Sequence, residues 1–366
     1  MRLPPESFET PVAVVDAARV EANARRAVAT LAESGIAWRP HIKTHKCPGV
    51  ARIQLAAGAR GLTVATLREA EVMATVTDDL LLAYPPVGAA KLERLLRLAE
   101  RVRLTVALDS DAALTELSRA AAPAGRTVGV LVEVDMGMGR VGVAGPEQAV
   151  ELAGRAASLP GVEYRGVLFY PGHIRAPLAE AAADLDVLVG RLEALIQALE
   201  RAGLAPAVVS GGSTPTVWAS HRLPGMTECR AGTWIFNDRD IASLGACDPQ
   251  DWAYSVCATV VSTSVAGQAV VDAGSKALAK EVLRGEGAGF GVLLDRPEVV
   301  VKGLSEEHGV LDLARTDWRP QVGERVRIVP NHVCVSVNLQ DRLLADVDGR
   351  WEEWALPARG RGPYPG

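Results

Sequence analysis

The sequence predicts an α/β protein, a (β/α)8 barrel of TIM type followed by a second, mostly β C-terminal domain. Three observations carry this expectation. From about residue 36 to 235, short β-rich runs alternate with longer Ala/Leu/Arg/Glu stretches of helical character, a pattern that forces parallel strands joined by crossovers. After about residue 250 the chain becomes β-branched, broken by Gly, Asp and Pro, and helical periodicity fades. No Gly-x-Gly-x-x-Gly follows an early strand, so the competing open, doubly wound sheet has no dinucleotide motif behind it.

In chain order the strand candidates are 36–41, 61–65, 80–83, 103–108, 127–134, 164–169, 207–210 and 228–231. Helices are expected between them, over 91–101, 111–122, 146–159 and 178–202. Eight such units in roughly 200 residues fit a closed barrel. The second domain's strands are expected at 253–265, 268–273, 299–304 and 324–329. The limits that follow are 11–245 for the barrel and 1–10 with 246–366 for the β-rich domain, with the Pro/Gly-rich end, Pro357–Gly366, expected to fray.

Composition narrows the function. The 366 residues are 48% apolar and 23% charged, with a net charge of -5 and a pI near 5.8. That balance argues against nucleic acid or an anionic membrane as the main partner. Residues 1–6 hold no apolar core of signal-peptide length, and no stretch approaches the roughly 18–20 apolar residues of a membrane span. The five cysteines, at 47, 229, 247, 257 and 334, are odd in number and scattered, which reads as reduced thiols in the cytoplasm.

Four constellations carry chemistry. Arg39-Pro-His-Ile-Lys43-Thr-His-Lys46 ends the first barrel strand, the end at which such barrels place active sites. A lysine is nucleophilic only when neutral, and neighbouring cations lower its ordinary pKa of about 10.4. Arg39, His41, His45 and Lys46 offer that surrounding, and a Schiff-base lysine is the natural use of Lys43; the alternative is a solvated basic loop. Val209-Ser-Gly-Gly-Ser-Thr-Pro-Thr216 follows the seventh strand and is expected to open a helix, suiting a phosphate at its N-terminus; the alternative is a well-capped helix. Glu228-Cys-Arg230-Ala-Gly232-Thr233-Trp-Ile-Phe-Asn-Asp238 forms the eighth strand and the loop after it. An arginine there can face a pyridine nitrogen, or simply pair with Glu228 or Asp238.

Pro330-Asn-His332-Val-Cys334 is the fourth. In a strand, His332 and Cys334 would share one face, and imidazole with thiolate favours zinc; a buried cysteine beside a satisfied histidine is the alternative. Two lesser features, Gly137-Met-Gly-Arg140-Val-Gly142 and Tyr170-Pro-Gly-His173, end the fifth and sixth strands.

Taken together these segments resemble the D-serine dehydratase and D-threonine aldolase family, PLP enzymes of the alanine-racemase fold type. The marks are Arg39–Lys46, Gly139–Gly142, Tyr170–His173, Gly212–Pro215, Asp272–Leu278, Ser305–Gly309 and Pro330–Cys334, in the family's order along nearly the whole chain. The resemblance implies a homodimeric PLP barrel with Lys43 holding the cofactor covalently and Arg140 and Tyr170 beside it. Gly212, Ser213, Thr214, Gly232 and Thr233 would hold the phosphate, and Arg230 would face the pyridine nitrogen. His332 and Cys334 would bind a divalent metal, zinc or else manganese. Trp234 stands where a tyrosine is expected, so the phenolic bond made there in relatives is lost.

The implied activity is a PLP lyase on D-β-hydroxy amino acids. Dehydration of a D-serine-like substrate to a keto acid and ammonia is preferred, because histidine with cysteine two residues on looks more like the dehydratases than the aldolases, which carry a carboxylate there. Retro-aldol cleavage to glycine and an aldehyde is the alternative. Racemisation, with Tyr170 or His173 as second acid/base, and a non-catalytic PLP carrier complete the readings.

Overall fold

The computed structural model describes residues 2–283 and 287–365. The chain opens with strand β1 (Val12–Asp16) and helix α1 (Ala17–Ala32). Eight parallel strands follow: β2 (Ala37–Trp38), β3 (Leu62–Val64), β4 (Asp79–Leu82), β5 (Arg103–Leu108), β6 (Val128–Glu133), β7 (Val162–Leu168), β8 (Val208–Gly211) and β9 (Glu228–Cys229). They pair in the order β2-β9-β8-β7-β6-β5-β4-β3. The sheet curls round so that its two ends meet, through a parallel bridge between His41 and Thr63 and a bond from Thr63 N to Pro40 O. All eight expected strands are present. Every residue of β6 is buried, as a strand covered on both faces requires.

The crossovers are α2 (Pro48–Ala56), α3 (Leu67–Met73), α4 (Ala89–Leu98), α5 (Asp111–Ala121), α6 (Pro146–Ser158) and α7 (Ala182–Arg201). Their spacing explains them. Leu185, Leu188, Leu192, Leu195 and Leu199 form the buried stripe of α7 at the three- and four-residue steps of one helix face. Ser110 caps α5 by accepting from Ala113 N, with Asp111 in the first turn and Arg119 in the last, both favourable to the helix dipole. Leu81, Ala107, Leu131 and Leu168 pack as one cluster across β4, β5, β6 and β7.

The rest is β-rich: α8 (Arg239–Ser243), β10 (Tyr254–Ser262), β11 (Gln268–Val271), α9 (Ser275–Leu278), β12 (Gly291–Leu293), β13 (Val301–Leu304), β14 (Gly309–Asp312), β15 (Arg325–Pro330), α10 (Val333–Leu339), β16 (Arg342–Val347) and β17 (Arg350–Ala355). The long strand β10 pairs with β1, β15 and β11 in turn, with a register shift between Val260 and Ser262. Two of the motifs quoted above meet here, since Ser275 N bonds to Ser305 O and Lys276 N to Glu306 O.

The chain divides into two compact units, 25–43 with 51–232 and 357–365 in the barrel, and 2–24 with 44–50 and 233–356 in the β-rich unit. These differ from the expected limits at residues 44–50, 233–245 and 357–365, and also at 11–24. There β1 pairs with β10 and β16, and Val12 and Val14 pack on Cys257 and Leu344. In the segment 2–10, Arg2 pairs with Asp346 at 2.8 Å and Thr10 donates to Asp272 at 2.6 Å. The end of the chain is not frayed; Gly366 lies outside the described residues. Arg94 donates to Arg361 O, Tyr364 N donates to Glu71 at 2.7 Å, and Arg68 stacks on the Tyr364 ring at 4.8 Å. No helix among the described residues is long and apolar enough to cross a membrane.

Candidate active site

In a parallel sheet the residues leaving each strand gather at one end. Lys43 lies in a short 3-10 turn (Ile42–Thr44) just past β2. Arg140 follows β6, Tyr170 follows β7, Gly212 to Thr214 follow β8 and Arg230 follows β9. The barrel brings the first three together: Lys43 Nζ lies 5.6 Å and the Arg140 guanidinium 5.3 Å from the centroid of the Tyr170 ring. A cation over an aromatic face is held electrostatically, so Tyr170 orients both.

Arg140 sits on a loop tied at its base and its crown. Val143 N bonds to Glu133 O and Asp135 N to Val143 O, closing the loop. The Asp135 carboxylate accepts from Gly137 N, Met138 N and Gly139 N at 2.8 to 3.1 Å, and Gly142 N bonds to Asp109. Although partial burial acts the other way, those backbone donors hold the Asp135 pKa below the ordinary carboxylate value.

Glu133, the last residue of β6, is 5% exposed. It lines a small cavity with Arg140 and Tyr170. Burial raises its pKa against the pull of the Arg230 and Arg140 guanidiniums. Arg230 is buried and donates to Phe169 O, while its Nε finds no partner among the described residues. Burial lowers its pKa, with Glu133 and Glu228 opposing. The expected alternative, an ion pair to Glu228, is not formed, because Arg39 takes that carboxylate. Arg39 Nε is 2.8 Å from Glu228 and its Nη1 is 2.7 Å from Asp79. These are the first residues of β9 and β4, so this guanidinium points to the opposite end of the barrel from Lys43. The expected contribution of Arg39 to the surroundings of Lys43 is thereby corrected.

After β8 the backbone runs through a slot that only glycine fills. A Cβ on Gly211 would lie 2.1 Å from the Phe169 ring, and Gly212 holds φ at +79°. Ser213 N and Oγ both bond the Thr216 hydroxyl, at 3.1 and 3.0 Å. The helix expected to open here is instead a six-residue 3-10 turn, Val217–Arg222, so a helix dipole is not what this loop offers a phosphate. What it offers is small, buried, polar surface: Ser213 and Thr214 are 6% and 4% exposed, and the buried Ser210 Oγ has no partner among the described residues. Gly232 is also buried. The orphaned Arg230 Nε and Ser210 Oγ, with the glycine slot, fit a polar cofactor whose ring and phosphate would satisfy them. His173 lies against Gly137, its buried Nδ1 without a partner among the described residues.

In the β-rich unit the expected strand through His332 and Cys334 is a helix start. Strand β15 ends at Pro330, His332 caps α10 and Cys334 lies in its first turn. The pair still meets, since the two side chains are hydrogen-bonded to each other. His332 Nδ1 is 3.1 Å from Asp238 Oδ2. Burial lowers the His332 pKa, but Cys334 and Asp238 outweigh it and hold the pKa well above the ordinary value. Cys334 Sγ is 3.3 Å from the Thr44 hydroxyl and 3.7 Å from that of Thr233. An imidazole and a thiol in contact, ringed by a carboxylate and two hydroxyls, suit a divalent metal of zinc type. Trp234, in the tyrosine's expected place, is buried and donates to Asn23 O at 2.8 Å.

Sequence reasoning passed over Glu133, Asp135 and Asp238. A carboxylate ending an otherwise apolar strand was the available signal for Glu133. Asp238 stood in a quoted motif but was weighed only as a partner for Arg230.

Comparison with known proteins agrees with this geometry. An alanine racemase N-terminal domain model matches residues 15–240, and a serine dehydratase domain model matches 253–345. The chain is 35% identical to a D-threonine aldolase of an Arthrobacter species over 96% of this chain and 93% of that one. It is 36% identical to the D-threo-3-hydroxyaspartate dehydratase of Delftia sp. strain HT23, over 90% and 92%. The crystal structure of D-threonine aldolase from Filomicrobium marinum superposes with a TM-score of 0.89 at 33% identity, covering 96% of each chain. One similar solved structure is of a histidine-to-alanine variant of a D-threo-3-hydroxyaspartate dehydratase. Another is of a cysteine-to-alanine variant, in the metal-free form, and its substituted position lies two residues beyond that histidine. With its barrel, its β-rich unit and these relatives, the chain belongs to the D-serine dehydratase and D-threonine aldolase family, the PLP-dependent lyases of alanine-racemase fold.

Proposed function

We propose that the protein dehydrates a D-serine-like β-hydroxy amino acid to a keto acid and ammonia, with a metal assisting. The observation that carries this reading is the hydrogen-bonded His332–Cys334 pair, a nitrogen–sulfur donor set at the spacing of the positions substituted in the D-threo-3-hydroxyaspartate dehydratase variants. PLP, when bound, supplies an electron sink for the pair left at Cα. Lys43 would hold it, with Gly212, Ser213, Thr214, Gly232 and Thr233 on the phosphate and Arg230 towards the ring nitrogen. Tyr170 keeps Lys43 Nζ and the Arg140 guanidinium beside one ring. Once free of the cofactor, Lys43 Nζ takes the Cα proton. His332 and Cys334 would hold zinc, or manganese, which supplies a Lewis acid for the departing β-hydroxyl. Loss of that proton and hydroxide as water leaves an enamine, which water hydrolyses to the keto acid and ammonia.

Incubation with D-serine, D-threonine and D-threo-3-hydroxyaspartate, assaying keto acid against glycine plus aldehyde, tests the reading. Keto acid and ammonia in equal amounts are expected. Glycine and aldehyde alone would favour the aldolase reading, which the Arthrobacter relative supports. Light scattering on the eluted protein tests the homodimer.

A further inference from the structure

The carboxylate of Asp238 is fully buried, and each of its oxygens is committed. Oδ1 accepts from Ile241 N at 2.9 Å, capping α8. Oδ2 accepts from Val333 N at 3.0 Å, at the start of α10, and lies 3.1 Å from His332 Nδ1. One side chain therefore fastens two helix N-termini and one imidazole. Both oxygens already accept backbone N–H groups, so the last contact is completed by a proton on Nδ1, and Nε2 is the ring atom left to offer a lone pair to a metal. Cys334 completes the arrangement. Its sulfur is bonded to the same histidine and lies 3.3 Å from the Thr44 hydroxyl.

Another site competes with this one. Ligand atoms of Asp238, Asp240 and His332 all lie within 4.8 Å of one another, so a carboxylate-rich cation site could be drawn there. Recruiting Asp238 as a ligand would strip the buried N–H groups of Ile241 and Val333 of their acceptor. Leaving a buried donor unpaired is costly, and a ligand that must abandon two of them is a poor one.

We infer that Asp238 is a positioning residue, whose carboxylate holds His332 with its proton on Nδ1 and turns Nε2, with Cys334 Sγ, towards a divalent cation that favours mixed nitrogen and sulfur ligands. This rests on the metal reading given under Proposed function and adds to it a residue outside the ligand pair. Asp240 has no part in holding the cation.

The test is a zinc titration of the full-length, PLP-loaded protein against a chromophoric chelator, repeated with cobalt to read the thiolate-to-metal charge-transfer band. The wild type is expected to hold one tight zinc that His332→Ala and Cys334→Ala each abolish. Asp238→Asn is expected to weaken zinc about 10–100-fold, with the charge-transfer band recovered at saturating cobalt. Asp238→Glu should recover part of the affinity, and Asp240→Asn should leave it unchanged. A wild type that binds no zinc would sink the metal reading and this inference with it. Tight zinc that survives Asp238→Asn unchanged would overturn the inference alone, and equal losses in Asp238→Asn and Asp240→Asn would point to the carboxylate site. Because Asp238 also caps α8, a second measurement avoids mutating it. In zinc-loaded wild type, the nitrogen-15 pattern of His332, assigned by its loss in His332→Ala, should show a protonated Nδ1 and a metal-bound Nε2. Metal on Nδ1 would refute the inference whatever the variants do.

Discussion

Replacing Arg39 by methionine separates two meanings of the Arg39–Lys46 motif. If Arg39 serves Lys43, the lysine proposed to hold the cofactor, its loss should alter how that lysine titrates; if it is structural, only stability should fall. The geometry favours the second. The guanidinium is 2.8 Å from Glu228 and 2.7 Å from Asp79, with side-chain exposures of 9%, 1% and 18%. Methionine keeps most of the aliphatic stem, so the change removes charge rather than volume. Glu228 then keeps only the more distant Arg230 guanidinium and loses its direct ion-pair partner, and breaking a buried pair in this way costs about 3–5 kcal/mol. Asp79 still has Arg103 at 3.5 Å and some water, which puts the expected loss near the lower figure, ~3 kcal/mol. Arg39→Met/Glu228→Met, with the charge gone from both sides, should recover much of it. Urea denaturation followed by far-UV circular dichroism gives the stability. An absorbance titration of the PLP-loaded protein against pH gives the state of Lys43. The expected result is a transition at clearly lower urea with an unchanged pH titration. A loss under ~1 kcal/mol, the range of an exposed pair, with a displaced titration would refute the structural assignment and restore the reading from sequence.

Three other expectations follow from buried contacts. Gly211→Ala places a Cβ 2.1 Å from the Phe169 ring, so it should cost ~1–3 kcal/mol by overpacking and weaken PLP binding, while Phe169→Leu in the same chain restores both; an Ala variant of wild-type stability would contradict the slot. Cys47, Cys229 and Cys257 are buried, with burial pushing the Cys257 thiol up to about 11, whereas Cys247 and Cys334 are partly exposed. A thiol reagent at pH 8 should therefore count two fast thiols in the native protein and one after zinc is added, and three or more would be evidence against the packing. Asp135 has a folded-state pKa below its unfolded value, so its hold on the Arg140 loop is present at neutral pH and is lost as pH falls below about 3.8 through the depressed value. Asp135→Asn should abolish that acid-dependent step in stability, measured by thermal melts between pH 6 and 3, and a step of unchanged size would assign it to another carboxylate.

What the sequence made legible were periodic and chemical signals. The five leucines of α7 and the unbroken apolar run of β6 declare one helix face and one two-sided strand, so the barrel and its eight strands could be read directly. Lys43, Arg140, Tyr170 and Arg230 were visible because cations and a phenol are conspicuous at the ends of apolar strands. Errors arose where tertiary context decides. Pro330-Asn-His-Val-Cys334-Val is β-branched enough to read as strand, but His332 takes the extended cap position and the valines bury one face of a helix turn instead. β1 looked like the entry to the barrel, and only its pairing partners, some 240 and 330 residues away, assign it to the other sheet. The Pro/Gly-rich tail looked free because its anchors, Arg68, Glu71 and Arg94, belong to helices far earlier in the chain.

The residues hardest to see beforehand share one physical role. Asp135 gathers three backbone N–H groups ahead of Arg140, Asp109 takes the N–H of Gly142 behind it, and Asp238 binds two helix N-termini and His332. None of them need touch a substrate. Each is an acceptor for backbone donors that a tight turn or a helix start would otherwise leave unpaired, and in meeting that need it fixes the conspicuous side chain beside it. An aspartate in a loop is ordinary in composition, so sequence gives no reason to single it out. Only when the donors converge on one carboxylate does its purpose become definite. The candidate residues were therefore readable from their cations, phenol and thiol, whereas the groups that hold them are carboxylates that the same reading left unremarked or, for Asp238, weighed only as a partner for Arg230.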